Sequence, residues 1–517
     1  MTESRPEESR ASAGDRRIRR IAIVGGGTAG WMAASALARM LGNSCSIHLI
    51  ESNEIGTVGV GEATIPPIID FLRFLGIDQN NFVEQTQATY KLGIQFRDWL
   101  RLDHRYWHPF GVFGAQINRL PFYHYWHKAR VQGLDVTVES FSLEAAMGEA
   151  NRFIFPKNTI GIAQDLRYAL HFDASLVARY LRRYAEQLGV VRLERKVQSA
   201  TRRENGFIGE LVFDDGSRLE ADLYIDCSGF RGLLIEDTLH TGYEPWTRYL
   251  PCDRAVAMPT AIQGPRTPYT LSTARAAGWQ WRIPLQHRVG NGYVYCSSHV
   301  SDDAALQDLL SVTGQEPLAE PRFLRFVTGR RKQFWNGNCV ALGLASGFLE
   351  PLESTSIHLV ASGLYSLLDH FPDLSFDAAN MAHYNAQIIE EFDRVRDFII
   401  LHYCGTQRTD SPLWQYCSSM PVPDTLAERI ELYRGSGRIF QQRHELFSDL
   451  SWFFVLDGLG LTPRDYNPLV DRADFEQVKR FMSDMRDRIQ REASLAPSHD
   501  SFFPAQTPPG VTRRAAR

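Results

Sequence analysis

Gly25, Gly27 and Gly30 stand in "IVGGGTAGW" with G-x-G-x-x-G spacing, after a short β-branched run and before a helical pattern. Each glycine has its own physical task. Gly25 permits a tight turn, Gly27 lets backbone approach a pyrophosphate at a helix N-terminus, and Gly30 lets that helix pack closely on the strand. Glu51, in "SIHLIES", lies 21 residues beyond Gly30, where an acid can hydrogen-bond an adenosine ribose hydroxyl. These residues predict a dinucleotide site; the bland alternative is a glycine turn that serves packing alone. Lys91 raises a second question. In "TYKLGIQF" (89–96), Tyr90, Leu92, Ile94 and Phe96 alternate as an apolar face, and Lys91, Gly93 and Gln95 share the other. Parity by itself favours a solvated lysine over a positioned amine.

The segments that follow the glycine turn select the cofactor. A compact nicotinamide dehydrogenase would continue with regular βαβ units, and no nicotinamide site is evident. Here the next unit, "GTVGVGEATIPPI", is a Gly-rich loop with no strand period. "LYIDCSGFRG" and "CVALGLASGFLEPLESTSI" return to strand-and-turn patterns much later, which suits an FAD wrapped by distant parts of the chain.

These residues need a large scaffold. The 517 residues could hold two to four compact units at ~150 residues each. Composition is that of a globular protein, 44% hydrophobic and 22% charged with net charge −4, and no basic stripe points to nucleic acid. The aromatic share, with ten Trp, fits a flat or apolar ligand and equally a core. Seven scattered cysteines without a CxxC pair suggest reduced thiols in a cytosol and no metal site. No apolar run reaches the ~18 residues of a membrane span. "RRIRRIAIVGGG" is only superficially an export signal, because four apolar residues precede the glycine turn. The expected class is therefore α/β: a disordered tail (1–18), an FAD-binding α/β module with insertions (19–375), a mainly helical substrate-binding part (376–493) and a loose tail (494–517).

Four segments together resemble the flavin-dependent tryptophan halogenase family over roughly residues 20–475. "GGGTAGW" (25–31) looks like its dinucleotide motif, "GVGEATIP" (59–66) its flavin strap, "WQWRIP" (279–284) its W-x-W-x-I-P signature, and "PLESTSI" (351–357) the segment bordering halide and substrate. The resemblance implies flavin contacts at Gly25, Gly27, Thr28, Ala29, Gly30, Glu51, Ser52, Ala63, Leu344 and Ile357. It makes Lys91 the match of the family's catalytic lysine and Glu353 that of its catalytic carboxylate, with Glu350 a nearby rival.

The implied chemistry is coherent. Reduced FAD and O₂ convert halide to hypohalous acid, which must be captured before it damages the protein. An ammonium can hydrogen-bond and polarise it, or an amine can form a haloamine; both require a lysine sheltered from water. Electrophilic substitution then builds positive charge on an aromatic ring and expels a proton. A carboxylate beside the ring can stabilise that cation, position the electrophile or take up the proton. By the same resemblance, the backbone amides of Thr355 and Ser356 contact halide. The family often has Gly at Ser356, which leaves bromide and chloride both open. His108 and Phe110, in "HPFG", would stack on the substrate, although "YWHPFG" could also be a packed loop. Trp279 and Trp281 alternate on one strand face and would shield the flavin side, where their bulk disfavours direct hydroxylation.

One region departs from the family pattern. Free-tryptophan halogenases hold the amino-acid backbone with a Tyr-Tyr pair and a downstream Glu-x-x-x-Phe-Trp. An ungapped count back from "WFFVLDGLGLTP" (452–463) places the Tyr pair on Gly435 and Ser436, the Glu on Gln442 and the Phe-Trp on Leu446 and Phe447. A local insertion could restore a clamp from Tyr433 or Glu445. The expected substrate is thus indole or another electron-rich arene. The expected partners are a separate flavin reductase and, from the resemblance, a second copy of the chain in a homodimer, with no membrane or nucleic acid. The alternatives are an aromatic monooxygenase and a non-catalytic flavin binder.

Overall fold

A computed structural model describes residues 15–52, 61–156, 161–442 and 445–504. The strand-like runs read from the sequence meet in one six-stranded sheet. Its order is Trp335–Asn336, Cys339–Ala341, Leu223–Asp226, Arg20–Val24, Ser46–Glu51 and Val191–Glu194. All pairs are parallel except the Trp335–Asn336 edge. Apolar residues fill both faces of the central strand, Ile21 and Ile23 on one and Ala22 and Val24 on the other, as a doubly covered parallel strand requires. The helix Thr28–Leu41 packs on it through Gly30, Ala33, Ala34 and Leu37.

A seven-stranded sheet stands beside the first. In order it comprises Arg322–Arg325, Arg254–Thr260, Val289–Tyr295, Gly278–Pro284, Thr270–Arg275, Gly93–Arg97 and Arg105–Pro109. A third sheet is small: Gly61–Ala63 and Thr89–Lys91 flank Ala169–Asp173. The strap, read from sequence as loop without strand period, therefore contributes a three-residue strand, because its backbone pairs with Ala169–Asp173.

"TYKLGIQF" is two strands rather than one. Thr89–Lys91 belongs to the small sheet, Gly93–Arg97 to the seven-stranded one, and Leu92 makes the crossing with its N–H on the Pro268 carbonyl. Both faces are covered there, so the two-faced pattern does not leave Lys91 in solvent; it is fully buried.

From Ala378 the chain is mainly helical. The helix Ala378–Cys404 is capped by Asp377, whose carboxylate accepts the Asn380 N–H at 2.8 Å. Its last turns, Phe398–Tyr403, are buried on every side. Parts of both segments expected as tails are packed on the fold. Ile18 is buried and Arg17 bridges to Asp373. Residues 494–504 fold back, and Phe503 stacks on Tyr90 at 5.5 Å with His499 close by, so apolar burial outweighs their Pro- and Ser-rich composition. Residues 1–14 and 505–517 lie outside the described residues.

Candidate active site

A cavity of about 550 Å³ runs along the open end of the parallel sheet. Gly25, Gly27, Thr28, Ala29, Glu51, Ser52 and Ala63 line one part, and Leu344, Ile357, Ser356, Ser354 and Trp281 another. Gly25 has φ +119°, and a Cβ there would overlap the Cys227 carbonyl. Gly30 does not line the cavity; a Cβ on it would strike the Gly25 carbonyl, which is the helix-packing task assigned to it. Gly27 is extended and hands the chain to the helix that begins at Thr28, whose first N–H groups lack helical partners and face the cavity as an anion cradle. Glu51 borders this end and is ion-paired with Arg192, with Arg182 at 3.8 Å. These features fit an extended dinucleotide such as FAD.

Beyond the opposite end lies a closed polar cluster. Lys91 Nζ donates to the Thr64 carbonyl at 2.9 Å and to Ser354 Oγ at 2.8 Å, and stands 5.3 Å from the centre of the Phe110 ring. Burial pulls its pKa down to about 7, against the attraction of Glu353. Neither Lys91 nor Glu353 lines the flavin cavity, whereas Ser354 does. Ser354 is thus the hydroxyl between the two compartments. It adopts φ +59°, a left-handed conformation uncommon for a non-glycine residue, which turns the chain from Glu353 into the helix Ser356–Asp369.

Glu353 is fully buried between two histidines. His108 Nδ1 is 2.8 Å from Oε2, and since an ionised carboxylate only accepts, His108 is the donor. His402 Nε2 is 2.8 Å from Oε1, in contact but out of line for a well-formed hydrogen bond. Its other nitrogen meets the Tyr106 hydroxyl at 2.7 Å. Burial works to raise the Glu353 pKa, but the facing His108 and His402 outweigh it and bring it to about 2. Thr355, at the N-terminus of the next helix, is buried with Oγ1 unpartnered among the described residues.

His108 also holds Glu353 through the edge of its ring, because a buried carboxylate needs a donor. Two expectations change here. Trp279 does not line the cavity; its Nε1–H donates to Glu350 at 2.8 Å, and Trp281 alone of the pair borders the flavin space. Glu445 cannot act as a free clamp, because Arg429 (2.9 Å) and the Trp452 indole (2.9 Å) occupy it. Of the other clamp positions, Tyr433 is buried against His127, Gly435 faces open space, and Phe447 stacks on Phe398 at 3.8 Å.

Sequence reasoning missed His402, Tyr403, Phe398 and Ser354. A signal for the first two was present: His402 and Tyr403 are the polar pair inside the apolar helical run "FIILHYC". A polar pair buried in such a run needs polar partners, and these are Glu353 and Glu350.

A parallel sheet with a glycine turn at its open end, beside a buried lysine–carboxylate cluster, has the features of a dinucleotide-binding enzyme. The family profile for tryptophan halogenases matches residues 20–475, and the chain belongs to that family. It is similar to Tryptophan 7-halogenase RebH of Lentzea aerocolonigenes, 35% identical over 95% of this chain and 99% of that protein. Among solved structures it is similar to Xcc4156, a flavin-dependent halogenase from Xanthomonas campestris (45% identity, TM-score 0.92, 96% and 100% coverage). It is also similar to BrvH, a flavin-dependent halogenase from Brevundimonas sp. BAL3 (44%, 0.91, 94% and 99%). The protein is a flavin-dependent halogenase, an enzyme class that takes reduced flavin from a separate reductase and acts on aromatic substrates. Among the described residues no helix is long and apolar enough to cross a membrane, and no cluster of metal-binding side chains occurs.

Proposed function

We propose that this chain halogenates indole or a similar electron-rich arene at the Lys91–Glu353 cluster, with FAD held in the glycine-turn cavity. The observation that carries this reading is a fully buried lysine hydrogen-bonded to Ser354, a residue that lines the cofactor cavity. Bound reduced FAD, with O₂ and bromide or chloride, supplies hypohalous acid. Thr355 and Ser356 offer that halide the backbone amides of a helix N-terminus.

Lys91 captures the hypohalous acid. With its pKa drawn close to 7, both the ammonium that polarises the O–halogen bond and the amine that takes the halogen are accessible at neutral pH. Ring carbon then bonds to halogen as the bond from halogen to oxygen or nitrogen breaks. Glu353, held ionised, stabilises the ring cation. A carboxylate this acidic is a weak base, but the ring cation is a far stronger acid and still yields it a proton. Phe110 and the Phe398–Phe447 stack supply aromatic walls close to Lys91 and His108. Trp281 walls the flavin side, and a homodimer is the proposed assembly.

The substrate reading is supported by the occupied Glu445 and by the absence of a carboxylate or hydroxyl clamp at Gln442 and Gly435. Losing such charge-assisted contacts, each worth ~1.5–3 kcal/mol, weakens free tryptophan by orders of magnitude. The test supplies reduced FAD, O₂ and bromide or chloride with a panel of indoles, phenols and free L-tryptophan, and reads product mass. Halogenated indole with poor conversion of tryptophan is expected. Efficient, regioselective turnover of free L-tryptophan would refute the substrate reading.

A further inference from the structure

Glu350 has no part in the chemistry above, yet it is as deeply buried as Glu353. Its neighbours Leu349 and Pro351 both line the flavin cavity. Oε2 accepts two hydrogen bonds, from Trp279 Nε1–H at 2.8 Å and from the Tyr403 hydroxyl at 2.6 Å; Oε1 has no partner among the described residues. Each donor leads to a different wall of the site. Trp279 packs at 6.0 Å on Trp281, which borders the cavity. Tyr403 is adjacent in its helix to His402, which lies against Glu353. A single carboxyl therefore joins the tryptophan strand, the loop that carries Glu353 and the end of the Ala378–Cys404 helix.

Burying a carboxyl is costly, and packing alone would be served as well by a leucine or methionine. What an apolar side chain could not do is hold two donors from two separate elements at one point.

We propose that Glu350 is a positioning residue that fixes the Trp279–Trp281 pair and, through Tyr403 and His402, the Glu353 loop in one rigid frame, keeping oxidation on the flavin side coupled to halogen transfer on the Lys91 side. The inference rests on the reading of Lys91 and Glu353 as the halogenating pair. Burial pushes the Glu350 carboxyl up to about 7, so near neutrality it is substantially protonated. The proton fits Oε1, the oxygen that faces no donor, and leaves Oε2 free to accept both bonds.

The test compares Glu350→Gln, whose amide oxygen still accepts from both donors, with Glu350→Met, which accepts from neither. Halogenated product and hydrogen peroxide are each measured per O₂ consumed. Separately, the Trp279 indole N–H resonance of the ¹⁵N-labelled enzyme, assigned by its loss in Trp279→Phe, reports the hydrogen bond without turnover. Glu350→Met is expected to lower product per O₂ about tenfold, with hydrogen peroxide making up the balance, KM for the arene nearly unchanged and the indole resonance moved upfield. Glu350→Gln is expected to stay within about twofold of wild type in coupling. Wild-type coupling in Glu350→Met despite a moved resonance would overturn the proposal. So would equal uncoupling in Glu350→Gln, which would assign the effect to the acid proton. If Glu350→Met does not fold, Tyr403→Phe removes one donor without burying a charge; about threefold uncoupling is expected, and none would overturn the proposal. Failure of the underlying site reading would look different, because Lys91→Ala would then keep its product.

Discussion

Glu350 and Glu353 lie on one short loop, both fully buried, and their surroundings drive them in opposite directions. Around Glu353 the facing groups are imidazoles, His108 and His402, with the Lys91 amine nearby, and the carboxyl is held ionised at a pKa of about 2. Around Glu350 they are an indole and a phenol, neutral donors that only partly offset burial, and the carboxyl is held near 7. Burial by itself would make both acids neutral. The histidines facing Glu353 outweigh its burial, whereas the neutral donors facing Glu350 do not. The difference fits the proposed roles, with transition-state charge at Glu353 and fastening at Glu350.

The comparison can be broken at its strongest point first. Lys91→Ala is expected to reduce halogenation to the background without enzyme while FAD affinity and flavin reoxidation stay nearly intact, because in the proposed role the lysine handles halogen and not flavin. Normal product yield from this variant would remove Lys91 from the site. Glu353→Gln keeps shape and loses charge, and a fall of roughly 10²-fold in kcat is expected. An unchanged rate would put Glu353 on the same footing as Glu350.

Stability against pH separates the two carboxyls without any substrate. The folded-state pKa of Glu353 lies below the ordinary 4.5, so its charge stabilises the fold above that pH, and the contribution is lost as pH falls from 4.5 toward 2. That of Glu350 lies above 4.5, so it costs stability as pH rises from 4.5 through about 7. Chemical denaturation should therefore show Glu353→Gln destabilised at pH 7, with the deficit shrinking in acid. Glu350→Gln should gain stability at pH 8 and show no gain at pH 4.5. Parallel pH slopes for the two variants would contradict the difference in environment. The smallest expected effect is at the halide: Ser356→Gly should change the ratio of brominated to chlorinated product about threefold, under ~1 kcal/mol, as read by mass spectrometry in mixed halide.

Much of this protein is legible one segment at a time. The glycine turn, the parallel strands and the long C-terminal helices depend on local spacing and apolar periodicity, so the dinucleotide fold follows from short windows of sequence. Lys91 was less legible. Its alternation with Tyr90 and Leu92 is real, but a periodic pattern reports two faces and not what covers them, and here two sheets meet and bury both. The C-terminal segment misled for the same reason: Phe503 and His499 look like isolated residues in a polar tail until they reach Tyr90.

The sequence by itself determined the cofactor class and the family and proposed the residues for the chemistry, because motif spacing along a chain is a local property. Only the tertiary structure decided which of two neighbouring glutamates is ionised, which of two tryptophans faces the flavin space, and that Glu445 is already occupied. The partners that settle those questions, His108 and His402 for Glu353 and Trp279 and Tyr403 for Glu350, come from strands and helices up to 245 residues away in the chain. Charge in a buried site depends on neighbours in space, and those neighbours exist only once the chain has closed on itself.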